Sequence, residues 1–305
     1  MNKKNISLLL FLLILIVIFM FSRKKESVEQ RINFFKINSE NIHALKIFNQ
    51  QDTVRIEINN DKWNLTYPLM APIKEQQINR FFNDFIKVET SSIPISESVD
   101  RQTFYNVTDS TATVVEMYGR NNNLLQKVFC GRSQNFNYSY LRADGSRKIY
   151  QTVNLLQAIN PAINTWREDK ILNIVENDIL TISVLNNKDS FELSQSELFW
   201  NITYADSSKT LELSNRELNT FKNALVNLRT NNFIDNDYDT YKDNFAKSDK
   251  EIIINLSVGQ TVQLKFIELN ENEYLLMRNN EQNTLYKLTK HQYNQLFISP
   301  IKLLN

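Results

Sequence analysis

The chain has 305 residues and a formal net charge of +1, with 42% hydrophobic and 23% charged residues. That balance, with no basic stripe interleaved with aromatics, gives no electrostatic footprint for nucleic acid. Four glycines leave no glycine-rich phosphate loop, and a lone cysteine, Cys130, excludes an intrachain disulfide.

Residues Ile6 to Phe21 form an apolar run broken by one serine. As a helix rising about 1.5 Å per residue it would span roughly 24 Å, slightly short of a hydrocarbon core. Asn5, Ser22 and snorkelling lysines can extend it. Ser22-Arg23-Lys24-Lys25-Glu26 follows, with neither a small-residue cleavage pattern nor a lipobox cysteine. An uncleaved signal-anchor over residues 1–25 is therefore expected rather than a leader that is removed. Lys3 and Lys4 flank one end and Arg23, Lys24 and Lys25 the other, so charge does not choose the orientation. The very short tail before the run favours a bulk lying outside the cytoplasm, anchored in a bacterial inner membrane. Residues 26–41 read as a polar neck.

Beyond the neck the chain repeats itself. Trp63-Asn64-Leu65-Thr66-Tyr67 returns 137 residues later as Trp200-Asn201-Ile202-Thr203-Tyr204. Leu45–Phe48 and Val54–Ile58 precede the first copy; Leu180–Val184 and Ser190–Leu193 precede the second. Both pairs alternate apolar and polar residues, as half-buried strands do. A helical stripe follows each Trp strand: Ile78, Phe81, Phe82, Phe85 and Ile86 in one, Leu218, Phe221, Leu225 and Leu228 in the other. Thr113–Gly119 then parallels Ile252–Gly259. Tyr140-Leu141-Arg142 with Ile149-Tyr150 parallels Leu275–Arg278 with Leu285-Tyr286, which sets Arg142 opposite Arg278. Short helices at Leu155–Ile159 and Tyr293–Phe297 close the copies. The expected fold is α+β: two tandem modules, 42–165 and 178–305, each a mainly antiparallel sheet covered by helices, with a boundary near residues 165–177.

The first copy carries a fuller pattern: Trp63-Asn64-Leu65-Thr66-Tyr67-Pro68, then Ala71-Pro72 and the helix, Phe129-Cys130-Gly131, Tyr140-Leu141-Arg142, Tyr150, and Trp166-Arg167. This resembles a bacterial family of single-pass membrane proteins built on a domain of unknown function. Its members are typically encoded beside gliding-motility-type ABC transporter components, including an auxiliary substrate-binding-like subunit. The resemblance covers most of the chain beyond about residue 40. It implies an accessory protein of an envelope transport or motility complex, with an ABC permease and its auxiliary subunit as partners, and no reaction. The second copy departs from the pattern, with Ala205 where the first has Pro68.

The residues offer little chemistry. Asp235-Asn236-Asp237-Tyr238-Asp239 opens like a calcium loop, but Thr240 and Ala246 stand where Gly and a bidentate Glu are needed, so a solvated acidic loop is expected. His43 and His291 lack neighbours at metal-ligand spacing. Cys130 has no nearby basic group and reads as a small buried hydrophobe. Trp63 and Trp200, repeated at equivalent places, read as core anchors more than ligand platforms. Trp166 lies in the stretch between the copies. No catalytic, metal or cofactor residue is assigned. Trp63, Pro68, Gly131, Tyr140, Arg142, Tyr150, Trp166, Arg167 and Trp200 are expected to be structural. The expected function is a non-enzymatic, membrane-anchored extracytoplasmic accessory subunit of an ABC-transporter or gliding-type complex; the alternative is an envelope binding module for polysaccharide or peptidoglycan.

Overall fold

The computed structural model describes residues 29–304, so the apolar run Ile6–Phe21 and its flanking charges lie outside the described residues. Among the described residues, no helix is long and apolar enough to cross a membrane. The chain divides into two compact units between Arg167 and Glu168.

Among its described residues the first unit holds ten strands: β1 (Arg31–Asn33), β2 (Ala44–Phe48), β3 (Thr53–Asn59), β4 (Lys62–Tyr67), β5 (Ala71–Pro72), β6 (Glu89–Ser91), β7 (Thr113–Tyr118), β8 (Leu124–Arg132), β9 (Tyr138–Ala143) and β10 (Tyr150–Val153). Eight form one antiparallel sheet in the order β10-β9-β8-β7-β2-β3-β4-β5. β1 and β6 pair separately, Arg31 opposite Ser91. The stretch expected as a polar neck is therefore folded from Arg31 onward. Phe35 is buried with its ring 4.8 Å from that of Phe85.

The second unit holds β11 (Ile179–Asn186), β12 (Phe191–Gln195), β13 (Phe199–Tyr204), β14 (Ser207–Glu212), β15 (Phe233–Asp235), β16 (Lys250–Leu256), β17 (Thr261–Asn270), β18 (Glu273–Arg278) and β19 (Thr284–Thr289). They form one antiparallel sheet in the order β14-β13-β12-β11-β16-β17-β18-β19-β15. Apart from the added edge strand β15, this is the connectivity of the first sheet, strand for strand. The register agrees at the repeated pentapeptide. Trp63, Asn64 and Leu65 face Ile58, Glu57 and Ile56; Trp200, Asn201 and Ile202 face Gln195, Ser194 and Leu193.

Turn chemistry sets the β3–β4 and β13–β14 registers. Asn60 and Asp61, both at positive φ (51° and 60°), join β3 to β4 in two residues. A turn with both central residues left-handed matches the twist of a hairpin, and after glycine Asn and Asp tolerate it best. Ala205 and Asp206 (48° and 59°) do the same between β13 and β14. Proline cannot take a φ near +48°, so the counterpart of Pro68 in the second unit has to be another residue.

Each sheet has a principal core on one face. In the first unit Leu45, Ile47, Val54, Ile56, Leu65, Val115 and Met117 meet Ile78, Phe81, Phe85 and Trp166. The helix Glu75–Arg80 that supplies this stripe widens into a π-helical turn at Phe81–Ile86. In the second unit Ile182, Val184, Leu193, Ile202, Ile252 and Ile254 meet Leu218, Phe221 and Leu225 of the helix Arg216–Val226.

Each sheet also has a smaller core on its other face. Val107, Ala112, Val114, Phe129 and Ile149 form it in the first unit. Phe245, Ile267, Leu275, Met277 and Leu285 form it in the second. The cover comes from the same place in both series of elements, the connection between the principal helix and β7 or β16. In the second unit that cover is the helix Tyr238–Lys247. The run Asp235–Asp239, expected as a solvated loop, thus spans the end of β15 and the start of a helix. Asp237 stands at the N-cap and Asp239 in the first turn, where the helix dipole favours negative charge.

Candidate functional site

Three residues of the sequence pattern converge on one segment of the first unit. Gly131, on β8, packs so closely under the Tyr105 and Asn106 carbonyls that an added Cβ would overlap the Tyr105 oxygen. Tyr140, on β9, sets its ring 4.7 Å from that of Tyr105, edge to face. Arg142 donates from Nε to the Val107 carbonyl at 2.9 Å and lays its guanidinium 4.0 Å from the Phe129 ring. Gly131, Tyr140 and Arg142 together clamp residues 105–107 over the smaller core. Burial lowers the Arg142 pKa, opposed by Asp109 and Asp144. Burial first, then the neighbouring Tyr105 and Tyr138, raise the Tyr140 hydroxyl.

Arg278 is not the structural counterpart of Arg142. Leu141 faces Tyr150, and Leu276 faces Tyr286. Arg142 therefore aligns with Met277, and Arg278 with Ala143. One residue of offset turns a side chain to the opposite face of a sheet. Arg142 lies on the smaller-core face of its sheet. Arg278 lies on the principal face of its own, donating to the Ile171 carbonyl at 2.6 Å and paired with Glu281 at 2.8 Å.

At the end of the first sheet next to this clamp, a cleft of about 330 Å³ opens. The β2–β3 turn supplies Asn49, Gln51 and Asp52; Thr111 and Thr113 lead into β7; Cys130, Gly131 and Arg132 end β8. Ser139, the second residue of β9, and Leu156, Ile159, Asn160 and Pro161 complete the lining. The antiparallel order brings these segments together, because the β2–β3 and β8–β9 turns and the starts of β7 and β9 fall at the same end. Several lining groups are held by local bonds. Asn49 Oδ1 accepts from the Gln51 and Asp52 amides at 2.8 Å. Asn160 Oδ1 accepts from the Ala162 amide at 3.0 Å, and Ser139 Oγ from the Leu155 amide at 2.9 Å. Arg132 extends over the Phe136 ring at 4.8 Å. Cys130 is buried and its thiol is pushed well up by that burial, so it is not a poised nucleophile.

The remaining residues of the pattern sit elsewhere. Trp200 is 1% exposed and Trp166 is fully buried, whereas Trp63 is only half-buried against Phe82, 5.7 Å between rings. Trp166 donates from Nε1 to the Asn160 carbonyl at 2.7 Å and belongs to the first unit's core. Its own carbonyl accepts from the Lys74 amide at 2.7 Å, and Arg167, buried, bridges to Ile73. Tyr150 packs its ring 5.8 Å from Phe34, and Pro68 is exposed after a cis peptide bond. His43 is held between the Asn41 carbonyl and the Arg120 Nε, each 3.1 Å away. Among the described residues, no three His, Cys, Asp or Glu side chains cluster as metal ligands do.

The second unit has a charged cleft of similar size, bounded by the ion pairs Arg229–Asp169 (2.6 Å) and Lys287–Glu273 (3.4 Å). Gln292, reciprocally capping the helix Lys290–Leu296 with Thr289, donates from Nε2 to the Arg229 carbonyl at 2.7 Å and forms one wall. Its charges are already matched in place.

A family model described as a domain of unknown function, DUF4340, matches residues 63–247. The match begins at the repeated Trp of β4 and ends with the helix Tyr238–Lys247. No curated protein and no solved structure matches the chain.

Proposed function

The chain belongs to the DUF4340 family, and from that premise we propose that it is a non-enzymatic accessory subunit of an ABC-transporter or gliding-type envelope complex. The run Ile6–Phe21 anchors it in the inner membrane of a bacterium, and the two sheet units, copies of one duplicated module, stand outside the cytoplasm. The observation that carries the reading is a pair of exposed apolar side chains at one end of the second sheet. Leu198 is 77% exposed in the β12–β13 turn and Val258 66% exposed in the β16–β17 turn. The antiparallel order β12-β11-β16 sets both turns at the same end. Two uncovered apolar side chains gathered at one end of a sheet are candidates for cover by a partner. The partner is the permease or its auxiliary subunit.

The test is purification of the full-length protein from its own membranes in mild detergent, with mass spectrometry of what accompanies it. Recovery of an ABC permease and its auxiliary subunit supports the reading; recovery of the protein alone sinks it.

A second reading, an envelope binding module for polysaccharide or peptidoglycan, is favoured by the aromatics of the first unit. Phe104, Phe136 and Tyr138 are 64%, 50% and 46% exposed, with Arg101 and Arg132 over the two phenylalanine rings.

A further inference from the structure

We infer that the cleft at the end of β8 in the first unit binds one or two sugar units of a neutral polysaccharide. The inference deepens the polysaccharide reading and rests on it for the source of the ligand. Three properties of the cleft carry it.

The first is the chemistry of the lining. Amides and hydroxyls dominate, from Asn49, Gln51, Asn160, Thr113 and Ser139, with one acid and one base. Groups that both donate and accept match sugar hydroxyls, which do the same. Asn49 and Asn160 have their Oδ1 atoms committed to backbone amides, which leaves each Nδ2 as a donor. The second property is the state of the two charges. Among the described residues, neither the Asp52 carboxylate nor the Arg132 guanidinium has a hydrogen-bonded side-chain partner. A carboxylate accepts from two neighbouring hydroxyls at once, and a guanidinium donates to ring or hydroxyl oxygens in a fixed fork. The third is the apolar surface. Half-buried Leu156 lines the cleft, backed by the buried Ile159 and Pro161, and Arg132 lies over the half-exposed ring of Phe136. Pyranose rings carry a C–H face that such surfaces accept.

Size agrees, since about 330 Å³ lies at the small end of ligand clefts and leaves no room for a folded segment. Charge selects the neutral class: with one acid and one base the cleft neither attracts nor repels a charged chain. An extended peptide would ask instead for an unpaired strand edge, which this cleft does not offer.

The experiment is a glycan array probed with the full-length protein in a polyoxyethylene detergent, which carries no sugar, beside an array of peptides. Asp52→Asn, Arg132→Gln and Phe136→Ala are probed in parallel; all three side chains are exposed, so the fold is retained. Arg229→Gln, in the second unit's cleft, is the control. The expected result is binding to neutral glycans, weakened about tenfold by Asp52→Asn or Arg132→Gln, and unchanged by Arg229→Gln. Glycan binding that all three variants leave intact overturns the cleft while keeping the polysaccharide reading. Binding to no glycan, or to peptides alone, overturns both.

Discussion

Arg142 reaches across the first sheet to donate a 2.9 Å hydrogen bond to the carbonyl of Val107, 35 residues earlier in the chain. That bond joins a strand of the sheet to the segment that covers its smaller core. The guanidinium also lies 4.0 Å from Phe129. Arg142→Met removes the donor and leaves a buried carbonyl without it. The expected cost is about 2–4 kcal/mol, from a charge-assisted bond and a cation–π contact. Hydrogen exchange should rise at residues 107–112 first. Arg278→Met, on the opposite face of the other sheet, should leave exchange at 107–112 unchanged.

Two glycines separate steric from conformational demand. At Gly131 an added Cβ meets the backbone of Tyr105 and Asn106, which cannot step aside without lifting the clamped segment. At Gly145 the space is open and only the φ of +72° resists. Gly131→Ala should cost more than the roughly 1–2 kcal/mol expected of Gly145→Ala, where only left-handed strain acts. Denaturant unfolding of both variants checks the order.

The three tryptophans differ in access. Trp166 and Trp200 are sealed and Trp63 is half-buried. Acrylamide should quench one population of the native emission, and Trp63→Phe should remove it. Trp200→Ala should destabilise by about 3–5 kcal/mol, as removal of a buried aromatic does. Trp63→Ala should cost roughly half that.

Much of this arrangement is legible in the sequence. The Trp pentapeptides lie on β4 and β13 in the same register. The apolar stripes at Ile78–Ile86 and Leu218–Leu228 face the principal cores, Phe82 alone being only half-buried. Those readings succeed because a half-buried strand and an amphipathic helix each impress a period on the chain. The pairing of Arg142 with Arg278 failed for a related reason. Tyr274, Leu275, Leu276 and Met277 are all buried, because β18 is covered on both faces. A strand covered on both faces has no alternation, and nothing in it marks the register. The cover at Tyr238–Lys247 was hidden behind the Asp-rich run, whose acids serve a helix start. The candidate cleft leaves no trace, being assembled from five separate segments with no shared spacing.

Tyr118 links stability to alkaline pH. Its hydroxyl donates to Glu116 Oε2 at 2.6 Å. Burial, then that bond and the Glu116 charge, push its pKa up to about 12, with Arg55 opposing. A tyrosine raised in the folded state is stabilising while neutral. Its contribution is complete below the unfolded value of about 10 and is lost as pH climbs from there through about 12. The tyrosinate absorbance of this residue should appear late in an alkaline titration. Tyr118→Phe should remove the matching part of the loss of stability above pH 10.

We propose that the second sheet docks a membrane partner through Leu198 and Val258. The most direct measurement is recovery of the ABC permease with the full-length protein, compared between the native chain and a Leu198→Glu, Val258→Glu double variant. Both sites are exposed turns, so the circular dichroism should not change. The native chain should bring the permease down, and the double variant should lose it. Equal recovery by the two proteins would contradict it.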